Sequence, residues 1–261
     1  MNNPTLETLA AHRSIRRYTA AAPSEDVVEA IVRAGQQAPF SGQLADVVLE
    51  RDAQHNPWNA PLLFTLCIDM ARMERVMAKR NWSVVASDLS MLWFGIQDAS
   101  LMAQNMIVAA ESLGLGTCLL GAAPFMAKAL AKRLRLPQRV FPVVQMTVGY
   151  PDEAPATRPR YPLDVALHEG RYRVPDDEAI ERAMSVMDDG YLAQDYYREA
   201  GVMIPLAEGR EETFTYDTYS WTEHISRKWG QWMADPRELT EPLREQGFRV
   251  GIDLDSSDRQ G

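Results

Sequence analysis

The strongest constraint in this chain of 261 residues lies between residues 98 and 121. Leu101, Met102, Asn105, Met106, Ala109, Ala110 and Leu113 recur at helical spacing with few polar interruptions, so 98–113 is expected to be a largely buried helix. Gly114 and Gly116 end it, and 117–120 then reads as a strand. A dinucleotide fingerprint runs the other way, from strand through glycines to helix, so that the helix N-terminus meets a pyrophosphate. Its glycine spacing differs as well. The first two glycines therefore cap a helix. Gly121, after the strand, marks a place where something approaches the backbone closely.

The remaining elements alternate without strict strand–helix–strand repetition, which argues against a doubly wound sheet. A helical run covers 5–11. A second helix starts at Ser24 as its cap, with Glu25 and Asp26 in the first turn and Val27, Val28, Ile31 and Ala34 inward, and ends before Pro39. Strands are expected at 47–49, 62–68, 117–120 and 143–148. Helices are expected at 73–82, 84–97 and 125–134. The proline-rich 151–162 is extended. From about residue 173 the pattern turns helical, at 176–187, 190–200, 219–232 and 236–246, with 201–217 a loop. The expectation is one α+β domain over 1–261, with a core of 1–172 and a helical C-terminal extension of 173–261.

A net charge of −9 argues against general nucleic-acid binding. Two local basic clusters stand out against it. His12-Arg13-Ser14-Ile15-Arg16-Arg17-Tyr18 packs three arginines, a histidine and a serine together, and Arg158-Pro159-Arg160 holds two guanidinium groups apart by a residue of fixed φ. Like charges this close repel, so the clusters make sense around a small anion, and the guanidinium fork suits phosphate. An ordinary basic turn is the alternative. Cys67 and Cys118 sit in apolar runs, which suggests a reducing compartment and no disulfide framework. The start is polar, with no signal-peptide core, and no apolar run is long enough for a bilayer, so a cytoplasmic protein without membrane partners is expected. His12, His55, His168 and His224 are scattered and there is no CxxC, so no metal site is expected.

The segments HRSIRRYT (12–19), APFSGQL (38–44), DASLMAQNMIVAAESLGLGTCLLG (98–121) and VGYPDEAPATRPRYPLDVALHE (148–169), with DTYSWTEHISRKW (217–229) more loosely, carry a resemblance. In order and combination they resemble the FMN-dependent nitroreductase family, closest to its oxygen-insensitive NADPH nitroreductase and NADPH-flavin reductase subgroup. The resemblance covers 4–172 well and the remainder weakly. It implies an α+β fold, a mixed and mostly antiparallel sheet flanked by helices, in an intertwined homodimer with FMN at the interface. It also implies ping-pong, two-electron hydride transfer from NADPH or NADH to a small-molecule acceptor of nitroaromatic, quinone or flavin type. Reductive dehalogenation, substrate dehydrogenation, and a non-catalytic FMN-binding or sensor protein remain open alternatives.

The resemblance also distributes roles. His12, Arg13 and Ser14 would hold phosphate and ribityl oxygens, with Arg158 and Arg160 completing the phosphate clamp. The family often has Lys at position 158. Arg16 would lie near the flavin N1/O2 edge, where a cation stabilises the charge that reduction creates, so Arg16 is the catalytic candidate. Arg17 is expected to face solvent or an acid. Leu119, Leu120 and Gly121 would lie against the ring. Ser41 and Gln43 would reach the flavin of the partner subunit. Phe40 there replaces a small polar residue, and Gln43 stands where many members have Asn. Gln54 would offer an amide to the pyrimidine edge. In the subgroup, a basic residue before an Asp-Thr-aromatic run meets the 2′-phosphate of NADPH. Asp217-Thr218-Tyr219 is that run here, and Arg210 is the nearest basic residue upstream. Glu211 and Glu212 follow it and would repel a phosphate, so local pairing of Arg210 with those glutamates is the alternative. A modest preference for NADPH is expected, with 201–217 as a lid.

Overall fold

A computed structural model of the chain describes residues 3–231 and 235–250. In chain order the elements are α1 (Pro4–Ala10), α2 (Glu25–Gln36), β1 (Ala45–Glu50), β2 (Leu62–Asp69), α3 (Met70–Ala78), α4 (Asp88–Ser112), β3 (Gly116–Leu120), α5 (Ala127–Leu134), β4 (Val140–Gly149), α6 (Leu163–Ala166), α7 (Asp177–Leu192), α8 (Tyr196–Ala200), α9 (Trp221–Gln231) and α10 (Arg237–Glu245). The described residues fall into two compact units. One runs to Pro155 and resumes at Asp235; the other begins at Ala156. No helix among the described residues is long and apolar enough to cross a membrane.

The first unit is built on a four-stranded antiparallel sheet in the order β1-β2-β4-β3. This is the α+β class expected from the sequence. β2 is buried along its whole length. One sheet face, through Phe64, Leu66, Met146 and Val148, packs against Ile31 of α2 and against Met102, Ala103, Met106, Ile107 and Ala110 of α4. Met102 and Met106 are thus core residues.

α4 corrects one expectation. The sequence suggests two helices, 84–97 and 98–113, but the chain forms one helix of 25 residues. Its cap is Ser87, whose hydroxyl accepts from the Ser90 amide. Gly95 does not break it. A Cβ there would stand 2.6 Å from Ile68, so glycine lets α4 lie close over β2. At the far end only Gly114 serves as the terminator, at φ +80°. Gly116 is already in β3, and its role is different: a Cβ would stand 2.5 Å from Ile15.

Other boundaries move for local reasons. Ser24 precedes α2 as expected but makes no side-chain cap bond. The helix expected at 73–82 begins at Met70, because the Asp69 carboxylate accepts from the Arg72 amide and caps it earlier. The 125–134 helix starts at Ala127, after a single tight turn, Ala123–Met126. In the second unit α7 runs through Gly190 to Leu192, and the break falls at Asp195, at φ 47°.

The chain returns to the first unit through α10. Phe248 is buried edge-on against Phe141, under the Arg139 guanidinium at 4.6 Å. Arg139 also pairs with Glu74 and Asp88 and donates to the Gly247 carbonyl. Asp88 in turn accepts from the Arg249 amide at 2.6 Å. The second unit holds a cluster of Tyr191, Tyr196, Tyr197 and Tyr219 with His224.

Candidate functional site

The 12–18 run lies extended along β3. Ser14 bridges Thr117 in parallel, the Ile15 amide donates to the Thr117 carbonyl at 2.8 Å, and Tyr18 bridges Pro151. Ile15 is the anchor, buried on the bare backbone of Gly116. In an extended run, alternate side chains face opposite ways. Ser14 and Arg16 both reach the Cys118 thiol. Burial pushes that thiol up, and the Arg16 charge opposes the shift. Arg13 lines a cleft of about 480 Å³ with Ile15, Gly116, Glu111 and Glu153, and gives one bond to the Pro155 carbonyl.

Two acids outside this run, which the sequence pattern does not single out, and the run's own Tyr18 hold it in place. Glu111 of α4 accepts from Thr117 and meets His12 Nδ1 at 2.7 Å, so one histidine nitrogen is taken. The Glu153 carboxylate accepts from the Arg16 and Arg17 amides at 2.5 and 3.1 Å. The Tyr18 hydroxyl donates to the Ile15 carbonyl and shares a bond with Thr147. Burial pushes this phenol well above its usual range, so it stays a neutral donor. Arg17 turns to Asp152, as expected of it. Arg16 enters no ion pair among the described residues; its guanidinium lies 5.6 Å from the centre of the Trp58 ring.

Residues 38–44 form a second feature. Asp98 of α4 sits beneath them with its side chain all but buried, accepting from the amides of Ser41, Gly42 and Leu44 at 2.6, 3.1 and 2.9 Å. With the backbone donors consumed and Gln43 at φ 50°, the side chains of Phe40, Ser41 and Gln43 are exposed. No hydrogen bond or ion pair among the described residues joins this loop to 12–18. Gln54 is exposed in a surface turn held by Asp52 and His55. At the end of β3, Leu119 is exposed, and a Cβ on Gly121 would meet nothing within 4 Å.

In the second unit, Arg158 lies 4.1 Å from the Tyr196 ring centre and donates to Gln194. Arg160 turns back to the carbonyls of Arg158 and Pro159. Arg210 is exposed, and its guanidinium has no partner among the described residues, so it does not pair with Glu211 or Glu212. Glu212 is taken instead by Arg227, a buried cation that also binds Glu223 and the Ile204 carbonyl. The Arg227 bonds hold the Glu212 carboxyl down at about 2.

A small antiparallel sheet under one long helix, with a basic run hydrogen-bonded along its edge strand, defines an α+β scaffold that presents cations beside a sheet edge. Comparison with known proteins gives the family. Residues 47–150 match the model of the nitroreductase family. The chain is 28% identical over 264 residues to an FMN reductase (NADPH) of Bacillus subtilis, covering 95% of this chain and 99% of that one. It is 33% identical over 187 residues to an NADPH-flavin oxidoreductase of Vibrio harveyi, covering 66% and 76%. The solved structure of NfrA2 from B. megaterium superimposes with a TM-score of 0.81 at 26% identity, over 96% of this chain and all of that one. The chain belongs to the nitroreductase family.

Proposed function

We propose that this chain is an FMN-dependent NAD(P)H oxidoreductase that reduces nitroaromatic, quinone or flavin-type acceptors. The observation that carries this reading is Arg16: in a chain of net charge −9, its guanidinium is kept out of every ion pair among the described residues while its neighbour Arg17 is paired. A cation held unneutralised beside an edge strand fits a group that is anionic or becomes so. FMN, when bound, would supply the two-electron chemistry between nicotinamide donor and acceptor.

Around that group the chain's own residues divide the work. Arg13, Ser14 and the free nitrogen of His12 hold phosphate and ribityl oxygens, and Arg158 and Arg160 add phosphate cations. Arg16 stabilises the charge gained on reduction. Leu119, Leu120 and Gly121 form the wall beside the ring, the open space at Gly121 being consistent with this. Gln54 is the amide proposed for the pyrimidine edge. Arg210 reads the donor's 2′-phosphate; Arg227 has already neutralised the nearby Glu212, which removes part of the repulsion.

We place this chemistry in a homodimer. Along the first half of α4, Leu89, Trp93 and Ile96 form a one-sided apolar stripe, with Trp93 66% exposed, and Trp82 and Val85 are exposed just before it. Such a stripe fits a second copy. Phe40, Ser41 and Gln43, exposed and unconnected to 12–18, would then serve the partner's cofactor. Both cysteines are free and buried, in keeping with a cytoplasmic setting. The test is anaerobic addition of NADPH to the purified protein. Bleaching of the visible band of oxidised flavin, with FMN and no FAD released on denaturation, is expected; a protein that holds no FMN, or FMN that NADPH leaves oxidised, refutes the reading.

A further inference from the structure

Trp58 occupies a conformation that its side chain does nothing to favour. It sits at φ 56°, ψ 24° in the single turn Pro57–Asn59 between β1 and β2, and Asn59 follows at φ 54°. Glycine enters this left-handed region freely, whereas a bulky aromatic there is an outlier. The turn is already held by its own bonds, from the Asn56 side chain to the Ala60 carbonyl at 2.9 Å and from the Ala60 amide to the Pro57 carbonyl at 3.1 Å. Nor is the indole needed as core, since Trp58 is 39% exposed. What the strained backbone achieves is to bring the ring to the Arg16 guanidinium, 5.6 Å from Cζ to the ring centre. Strain of this kind is kept where a side chain's placement matters.

The choice of an aromatic partner has a chemical meaning. A carboxylate would hold Arg16 by taking its in-plane N–H donors. An indole attracts the cation through its ring quadrupole and takes none of them. The backbone of Arg16 is fixed separately, by Glu153. Apart from the Cys118 thiol, which it also reaches, Arg16 is therefore restrained at its backbone and over its guanidinium face by contacts that leave its charge and its other donors available.

We propose that Trp58 is a positioning residue that orients the Arg16 guanidinium towards the anionic edge of the cofactor, an inference that rests on the FMN reading above. The test compares Trp58→Gly, Trp58→Phe, Arg16→Ala and the double variant Trp58→Gly/Arg16→Ala, each loaded with FMN. Glycine suits φ 56°, so apo Trp58→Gly melts at or above the parent. A purely structural tryptophan would instead be missed in that melt. In the holoprotein, Trp58→Gly lowers the preference for reduced over oxidised FMN about two- to fivefold. At 29.6 mV per tenfold for two electrons, that is a midpoint potential about 9–21 mV lower. Trp58→Phe recovers part of the shift, and in the Arg16→Ala background Trp58→Gly adds none.

An unchanged potential in Trp58→Gly beside a lowered one in Arg16→Ala overturns the role of Trp58 and leaves the site standing. A shift of equal size in both backgrounds overturns it too, since the ring would then act without Arg16. If Arg16→Ala leaves the potential unmoved, or the protein holds no FMN, the site reading itself falls and this inference with it.

Discussion

Asp98 is the residue whose loss should be felt most sharply, and its cost can be worked from the bonds it accepts. Three backbone amides point at one carboxylate. Hydrogen bonds to a charged group contribute about 1.5–3 kcal/mol each, which sets a ceiling of about 4.5–9 kcal/mol for the three. Most of that ceiling is not reached. The amides of Ser41 and Gly42 belong to residues that are not buried, so water can replace the carboxylate at modest loss. Leu44 is 1% exposed, and its amide would be left unpaired inside the protein, at about 1–3 kcal/mol. Allowing about 0.5 kcal/mol for each of the other two, at the low end for a net hydrogen bond, Asp98→Ala should destabilise by about 2–4 kcal/mol. For a chain of this size that is a fall in Tm of about 4–16 °C. Urea unfolding followed by circular dichroism measures it, with the slope checking that the denatured state is unchanged. Limited proteolysis should show new cleavage near 40–44. Asp98→Ala melting with the parent, or Asp98→Asn costing more than Asp98→Ala, would refute the argument that the carboxylate acts by accepting these bonds.

The other expectations are shorter. Arg16→Ala should lower the flavin potential and the rate of reduction by NADPH with little loss of FMN, while Arg160→Ala should weaken FMN retention about tenfold to a hundredfold, from about 1.5–3 kcal/mol for a charged bond; fluorescence of released FMN and potentiometry separate the two. Glu212, held at about 2 against an ordinary 4.5, contributes stability that is present above 4.5 and lost as the pH falls towards 2. Protection of the amides in 201–217, taken as observed exchange relative to the intrinsic rate at each pH, should therefore fall across that window in the parent and be low and nearly constant there in Glu212→Gln. Trp93→Asp should dissociate the dimer in sedimentation and release FMN without lowering the helix content. Arg210→Ala should raise KM for NADPH and leave that for NADH nearly unchanged; equal changes for both donors would show that the loop reads something else.

Local chemistry was legible in the sequence and long-range pairing was not. The apolar spacing of Met102, Met106 and Ala110 reported a helix against a sheet because period and burial are properties of one segment. Gly114 reported a left-handed cap for the same reason. Arg17 is legible only as a cation that faces solvent or an acid; that the acid is Asp152 comes from the fold. Asp98 falls at the first residue of the helix expected over 98–113 and carries no mark of its own; that it accepts amides more than fifty residues away depends on where α4 lies. Glu111 and Glu153 escaped notice likewise, being ordinary acids until the 12–18 run is laid between them. Arg210 and Glu212 look like a natural local pair, but the carboxylate has a better partner in Arg227, which is buried and stacked near Phe214 and Tyr219. Trp58 carries no sequence mark at all, because nothing in propensity places a tryptophan at positive φ.

The route of the chain through the Arg139 network sets an order in time. Asp88 and Arg139 are both buried or half-buried charges, yet two of the groups that satisfy them, the Gly247 carbonyl and the Arg249 amide, come 108 and 161 residues after their partners. Ribosomes add about 5–20 residues per second, so the Asp88 carboxylate leaves the tunnel on the order of ten seconds before its second donor exists. Throughout that interval the second unit must be synthesised while the first is unfinished. The growing chain thus carries an open seam near Phe141, with the place of Phe248 unfilled. A chaperone that recognises newly made chains would find its apolar target there, and a ribosome paused within α9 should yield a nascent chain whose sheet forms yet stays sensitive to protease along that seam.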